Sequence, residues 1–91
     1  PSLYVLKKFQ KNKINCDFYD PFFKSIPKNS IYNSKKKSIS INKFKKNDYD
    51  AILVITDHSD VNYNLIYQKA SYIFDTRNVY FDKKSTKIIK I

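Results

Sequence analysis

The stretch of sequence that decides the fold is YDAILVITDHSDVNYNLIYQKASYIFDTRN, residues 49–78. Within it, residues 51–55 form a continuous apolar run rich in β-branched side chains, which is typical of a strand buried on both faces of a parallel sheet. Ser59 or Asp60 is placed to cap a following helix. The apolar residues of that helix share one face: Tyr63, Ile66, Tyr67 and Ala70. A second apolar run at residues 72–74 predicts another strand.

Strand, helix and strand in this order predict a βαβ unit, because the intervening segment is long enough for the crossover that parallel strands require. Parallel strands end at the same edge of their sheet, and ligands of open α/β sheets bind outside that edge. A polar cluster follows each predicted strand at this position. Four side chains are therefore candidates for a common ligand crevice: Asp57, His58, Thr76 and Arg77.

The amino-terminal part of the chain predicts a helix followed by a strand. Over residues 2–11 the apolar side chains share one helical face, and Ser2 is in position to cap it. Asn12 is expected to end the helix in a left-handed conformation, since Asn is the usual non-glycine residue there. Apolar and polar residues then alternate over residues 14–19, which is the period of a strand with one buried face.

The remaining segments are shorter or less regular. Residues 22–37 show no sustained period, so we expect a loop. Residues 38–41 predict a short extended piece, residues 42–47 a helical turn, and residues 87–91 a last short strand or a tail packed on the sheet. Together the elements predict one α/β domain over residues 1–91, a Rossmann-like three-layer sandwich with a mainly parallel sheet.

Composition narrows the class of protein. A chain of 91 residues has room for one domain. It contains no Gly, so the Gly-rich turn that cradles the pyrophosphate of NAD is missing, and we expect no cofactor binding by this chain itself. It also contains no Met, from which we expect a processed or excised piece of a larger protein. With the single cysteine Cys16, no signal peptide and no membrane-spanning run, we expect a cytoplasmic, non-membrane protein.

The formal net charge of +10 and the many aromatic residues raise nucleic-acid binding as a hypothesis. Of the 18 basic residues, however, only Arg77 carries the bidentate guanidinium that serves base and phosphate recognition best. The lysines are scattered along the chain. A solvated basic surface is therefore favoured over a nucleic-acid site.

Three segments resemble a known family. YDAILVITDHSDVNYNLI (49–66) followed by ASYIFDTRNVY (70–80) is similar to the C-terminal, UDP-binding domain of the UDP-glucose/GDP-mannose dehydrogenase family, especially its UDP-N-acetylhexosamine 6-dehydrogenases. PSLYVLKKFQKNKINCDFYDP (1–21) resembles the preceding helix and strand of that domain, with Asn12 where the family usually has Gly. The segment 22–47 carries no such likeness.

The resemblance implies a parent enzyme that oxidises a UDP-sugar to its uronic acid with NAD. The family's catalytic cysteine, lysine and asparagine lie upstream of this domain, so the resemblance implies no catalytic residue in this chain. It also implies that NAD is bound by the upstream NAD-binding and central domains of the parent. A homo-oligomeric parent is also implied. Because the chain begins just past the family's first strand of this domain, we expect an open sheet edge and marginal stability.

The resemblance makes Arg77 the leading ligand candidate, because the family's D-x-R segment contributes to the sugar-nucleotide pocket and a guanidinium suits a diphosphate. An ion pair with Asp75 or Asp57 is the alternative. Asp57 is a candidate either to orient Arg77 or to cap the helix. His58 is expected to fix the strand-to-helix turn by hydrogen bonding, since a lone His is no metal site.

Two nucleophilic side chains do not fit a catalytic interpretation. Cys16 lies in an alternating pattern, so we expect a small buried apolar residue. Ser59 has no general base arranged with it and no G-x-S-x-G turn. The alternative to a dehydrogenase domain is a stand-alone, non-catalytic module that binds a nucleotide or nucleic acid, which strongly salt-dependent binding to DNA or RNA would indicate.

Overall fold

The computed structural model describes residues 3–28 and 34–91, which divide into two units between Ser40 and Ile41. The first unit contains helix α1 (Leu3–Lys11). The second contains, in chain order, strand β1 (Ile52–Val54), helix α2 (Tyr63–Lys69), strand β2 (Ile73–Asp75) and strand β3 (Ile88–Lys90).

Helix α1 forms where its apolar spacing predicts, and it ends in a Schellman motif. The N–H groups of Lys13 and Ile14 donate to the carbonyls of Gln10 and Phe9 at 3.1 and 2.8 Å, the two bonds that define this motif. The residue in the left-handed conformation is Lys13, with φ of 58°, so the prediction for Asn12 is wrong by one residue. The Asn12 N–H still donates to the Lys8 carbonyl at 3.1 Å, as in a helix. The helix therefore continues through Asn12, and the left-handed residue follows it.

The first unit has a small apolar core. Its buried members are Leu6, Phe18 and Ile26, with Leu3 and Cys16 packed against them. This core joins one face of α1 to the segment that follows it, as the amphipathic pattern predicts. The predicted cap of α1, Ser2, lies outside the described residues.

The strand predicted over residues 14–19 does not form. The alternation predicts that the apolar side chains of this segment are buried, but Phe18 is 7% exposed whereas Ile14 is 52% exposed. A strand also needs a neighbour that supplies a hydrogen-bonded ladder, and none runs along this segment among the described residues. The Ile39 N–H instead donates to the Phe18 carbonyl at 2.9 Å as a single contact.

The expected loop over residues 22–37 agrees with the structure where it is described, apart from one antiparallel bridge between Ser25 and Lys37. The short extended piece predicted over residues 38–41 is not in a strand, and Ile41 lies in a turn. Residues 42–47 contain hydrogen-bonded turns and no helix, so the predicted helical turn is wrong. Asn47 in this segment has φ of 73°, a conformation that Asn accepts and that interrupts a helix.

The second unit is built on a parallel three-stranded sheet in the order β1-β2-β3. Ile52 pairs with Ile73, and Ile73 pairs with Ile88, so the strands are in register across the sheet. Ile73 in the central strand has no exposed surface, and burying a side chain of this size stabilises the fold by about 2–3 kcal/mol. The predicted βαβ unit is confirmed. Strand β1 is shorter than its apolar run at residues 51–55, and β2 lies one residue further along the chain than the run at 72–74. Of the two alternatives for residues 87–91, the structure has the strand.

Helix α2 carries the predicted apolar face, but it begins later than expected. Its cap is Asn62, whose side-chain oxygen accepts the Leu65 N–H at 3.1 Å. Ser59, Asp60 and Asp57 were the predicted caps, and those predictions are wrong. The reason is local, because a turn in which Val61 donates to the His58 carbonyl at 3.3 Å delays the helix.

The observed class is a Rossmann-like α/β fold with a parallel sheet, as predicted. The strand-helix-strand order of the second unit gives the sheet a defined carboxyl edge, where β1 and β2 both end. Over residues 3–28 and 34–91, no helix has both the length and the apolar character needed to cross a membrane.

Candidate functional site

The candidate site is formed by the two loops that leave the carboxyl edge of the sheet. We call residues 55–62, between β1 and α2, the first edge loop, and residues 76–80, after β2, the second edge loop. Because Val54 pairs with Asp75 in the parallel register, the two loops start side by side. The prediction that both polar clusters lie at one edge is therefore confirmed.

A buried carboxylate shapes the second edge loop. Asp75 is 1% exposed, and its Oδ1 accepts the N–H groups of Arg77 and Val79 at 3.2 and 3.1 Å. Its Oδ2 accepts the Tyr80 N–H at 2.9 Å. Asn78 lies between these donors with φ of 57°, which lets the loop fold back over the carboxylate. The loop that carries Arg77 is thus fixed by backbone hydrogen bonds to one side chain.

Thr76 ties the second edge loop to the end of β1. Its N–H donates to the Val54 carbonyl at 3.2 Å, and its hydroxyl donates to the same oxygen at 2.6 Å. The hydroxyl proton is committed to this contact, so towards a ligand the Thr76 oxygen can act only as an acceptor.

The first edge loop is held by a tyrosine from the helix that follows it. The hydroxyl of Tyr63 accepts the His58 N–H at 2.9 Å and donates to the Thr56 carbonyl at 3.2 Å. His58 makes this bond through its backbone N–H, and a hydrogen-bonding role for the His58 side chain stays a prediction. A single hydroxyl therefore fixes the backbone on both sides of Asp57.

A second tyrosine joins the two loops. Tyr80 ends the second edge loop, and its hydroxyl donates to the Tyr63 carbonyl at 2.7 Å. The two rings meet edge to face with centroids 5.9 Å apart. Tyr80 is 1% exposed, and burial raises the pKa of its phenol well above the usual range, with the neighbouring Tyr63 and Asp75 adding to that shift.

The four predicted site residues lie on these loops with different exposure. Arg77 and Asp57 are exposed, while His58 and Thr76 are half-buried. Among the described residues the Arg77 guanidinium forms no salt bridge, so its predicted ion pair with Asp75 or Asp57 is not seen. Asp75 is engaged with main-chain N–H groups instead. The topology brings the loops together. In the part of the chain described, Asp57, Thr76 and Arg77 form no hydrogen bond or ion pair with one another through their side chains.

Cys16 lies in the first unit and packs against its apolar core, but it is less buried than the sequence predicts. It is half-buried against the Leu6, Phe18 and Ile26 cluster. Burial raises the pKa of its thiol, and the positive charge of Lys36 only partly opposes that effect. Within residues 3–28 and 34–91, no three His, Cys, Asp or Glu side chains gather as a metal site would require.

Three residues that set the site's geometry were not among the predicted site residues, namely Asp75, Tyr63 and Tyr80. Asp75 carried a usable signal, since an Asp at a strand end before Thr-Arg-Asn is typical of a turn in which the carboxylate accepts nearby N–H groups. The two tyrosines carried none that separates them from ordinary apolar positions of a helix and a loop.

Comparison with known families agrees with this architecture. Residues 1–83 match the family described as UDP-glucose/GDP-mannose dehydrogenase family, UDP binding domain, which covers most of the chain. Comparison with curated proteins and with solved structures finds no match for this chain. With more than half of its sequence matched, the chain belongs to the UDP-glucose/GDP-mannose dehydrogenase family, as a UDP-binding domain.

Proposed function

We propose that this chain binds the UDP part of a UDP-sugar at the carboxyl edge of its sheet, between the two edge loops. The observation that supports the proposal is the parallel register of β1 and β2, because it places the beginnings of both loops at one edge of the sheet. The family to which the domain belongs is described as a UDP-binding domain. Ligands of open parallel sheets occupy this position because the loops there diverge into a crevice.

The chemistry of the loops suits a nucleoside diphosphate. The exposed Arg77 guanidinium can take two phosphate oxygens at once, and its backbone is already fixed by Asp75. Asp57 repels phosphate and accepts hydrogen bonds, so its place is against the hydroxyl groups of the ribose or the sugar. Thr76 contributes an acceptor oxygen, and His58 shapes the first edge loop.

The parent protein in this proposal is an NAD-dependent UDP-sugar 6-dehydrogenase of the UDP-N-acetylhexosamine type, a homo-oligomer in the cytoplasm. The residues of this chain do not fit NAD. There is no Gly in the sequence, and every residue of the first edge loop, the turn between β1 and α2, carries a side chain where a pyrophosphate would need close backbone approach. The proposal therefore assigns NAD and the catalytic cysteine to the parent's other domains.

Calorimetric titration of the 91-residue chain with UDP tests the proposal. We expect binding by the wild type that Arg77→Ala weakens roughly 10- to 100-fold, since a hydrogen bond to a charged group is worth about 1.5–3 kcal/mol. Lys46→Ala is the matched control, because it removes one positive charge from an exposed residue that precedes β1. Its neighbour Asn47 accepts a hydrogen bond from Ser71, which precedes β2, so Lys46 lies away from the carboxyl edge. Titration with GDP and UMP tests selectivity for the base and for the second phosphate.

The outcomes of the titration distinguish UDP binding by the chain from the role of Arg77 in that binding. Equal weakening by Arg77→Ala and Lys46→Ala would mean that UDP responds only to net charge. Absence of UDP binding by the folded wild type would overturn the proposed function of the chain. Binding that survives Arg77→Ala would remove Arg77 from the site while leaving UDP binding in place.

A further inference from the structure

We propose that Tyr63 is a positioning residue of the UDP site, whose hydroxyl sets the first edge loop in place relative to the loop that carries Arg77. The inference rests on the proposed function, and it adds a residue that lies outside the two loops and acts through their backbone. It is carried by a set of hydrogen bonds in which the Tyr63 hydroxyl and carbonyl both take part.

The hydrogen bonds form a continuous link between the two loops. Asp75 holds the N–H groups of Arg77 and Tyr80 on its two carboxylate oxygens. The Tyr80 hydroxyl then donates to the Tyr63 carbonyl at 2.7 Å. From there the Tyr63 hydroxyl reaches both the Thr56 carbonyl and the His58 N–H, at 3.2 and 2.9 Å. The backbone beside Arg77 is thereby connected to the backbone on both sides of Asp57.

The ring and the hydroxyl of Tyr63 have separable roles. The ring packs edge to face on Tyr80 and belongs to the apolar face of α2. The hydroxyl satisfies one donor and one acceptor of the first edge loop, so it restricts a loop whose residues would otherwise sample several conformations. A loop held in its binding conformation before the ligand arrives loses less entropy on binding.

The isosteric change Tyr63→Phe removes the hydroxyl and keeps the ring. Tyr67→Phe is the matched control, because Tyr67 is on the same helix, its ring also contacts Tyr80 (centroids 6.0 Å apart), and its hydroxyl takes no part in the link. UDP affinity is measured by calorimetry at a temperature where circular dichroism shows both variants fully folded. We expect Tyr63→Phe to raise the Kd for UDP roughly 5- to 10-fold, as loss of preorganisation does, and Tyr67→Phe to leave it within about twofold.

Amide hydrogen exchange distinguishes local loosening of the first edge loop from general loosening of the second unit. The His58 amide should exchange at least about tenfold faster in Tyr63→Phe, while the Thr76 amide, which donates to Val54, keeps its wild-type rate. Slow exchange at His58 in the wild type is itself required. Fast exchange there would overturn the inference even if Tyr63→Phe failed to fold.

The remaining outcomes distinguish this inference from the proposed function. Wild-type affinity for UDP in folded Tyr63→Phe would overturn the positioning role and leave the UDP site intact. Equal loss of affinity in Tyr63→Phe and Tyr67→Phe would assign the effect to general loosening of α2 and overturn it as well. A wild type that does not bind UDP would overturn both.

Discussion

Asp75 shows how one buried carboxylate can set the shape of a loop. Its oxygens accept three backbone N–H groups within the five residues that follow it. A carboxylate with 1% exposure is stable only when it is hydrogen-bonded in this way. The polar residue that matters most for the loop's geometry is therefore hidden from solvent, while the exposed Arg77 depends on it for position.

Burial of Tyr80 makes the free energy of unfolding depend on pH. Its phenol has a pKa raised above the ordinary value of about 10, so folding favours the neutral form. The stability that this contributes is fully present below about pH 10 and is lost as the pH rises from there towards the folded pKa. We expect Tyr80→Phe to cost about 1 kcal/mol at pH 7 through loss of the bond to the Tyr63 carbonyl, and the gap to the wild type to close above about pH 10.

Urea unfolding of both proteins between pH 7 and pH 11 measures this gap. Tyr72→Phe is the control, since the Tyr72 side chain is 54% exposed. Lysine titration acts on all three proteins alike and cancels in the comparison. A gap between the wild type and Tyr80→Phe that stays constant up to pH 11 would contradict the prediction.

At the scale of the elements, α2 depends on its cap because it is short. The helix spans Tyr63–Lys69, and a helix of this length is not stable without tertiary contacts and satisfied ends. Asn62 accepts the Leu65 N–H and so removes one unpaired donor from the first turn. The same turn holds Tyr63, on which the first edge loop depends.

Asn62→Ala should therefore lower the free energy of unfolding by about 1 kcal/mol. Asn64→Ala, on the exposed side of the same turn, should be neutral or slightly stabilising, because Ala favours helix and Asn64 provides no cap. Urea unfolding followed by circular dichroism compares the two variants. Equal effects of the two substitutions would contradict the assignment of Asn62 as the cap.

The elements also show what a sequence can predict. The βαβ unit was predictable because β1, α2 and β2 each carry their own apolar pattern and lie next to one another along the chain. The alternation over residues 14–19 was misleading, since it describes which side chains suit a buried face and not whether a neighbouring strand exists. The start of α2 was missed because the turn between His58 and Val61 carries no distinct pattern.

The candidate site, too, was predictable only in part. Topology placed Asp57 and Arg77 at one edge of the sheet, because the ends of parallel strands coincide. The link through Tyr63 and Tyr80 was beyond prediction, since it depends on which hydroxyl reaches which carbonyl once helix and sheet have packed.

At the scale of the whole molecule, the net charge of +10 sets the background for any anionic ligand. Some lysines are held against aromatic rings: Lys83 and Lys87 lie 4.6 and 4.3 Å from the Tyr67 ring centroid, and Lys69 lies 4.8 Å from that of Phe44. These lysines keep their charge, and together with the exposed lysines elsewhere they supply a diffuse positive field that attracts phosphate without specificity. Binding of UDP must therefore be located on the molecule as well as detected.

The most direct test is an NMR titration of the ¹⁵N-labelled chain with UDP at about 0.15 M salt, where long-range attraction is screened beyond roughly 8 Å. We expect saturable chemical-shift changes that are largest in the two edge loops, at residues 56–58 and 76–78. Shifts that do not saturate, or that are largest on the lysines of α1 or on residues 35–37, would show that UDP follows charge alone and would contradict a UDP site at the carboxyl edge of the sheet.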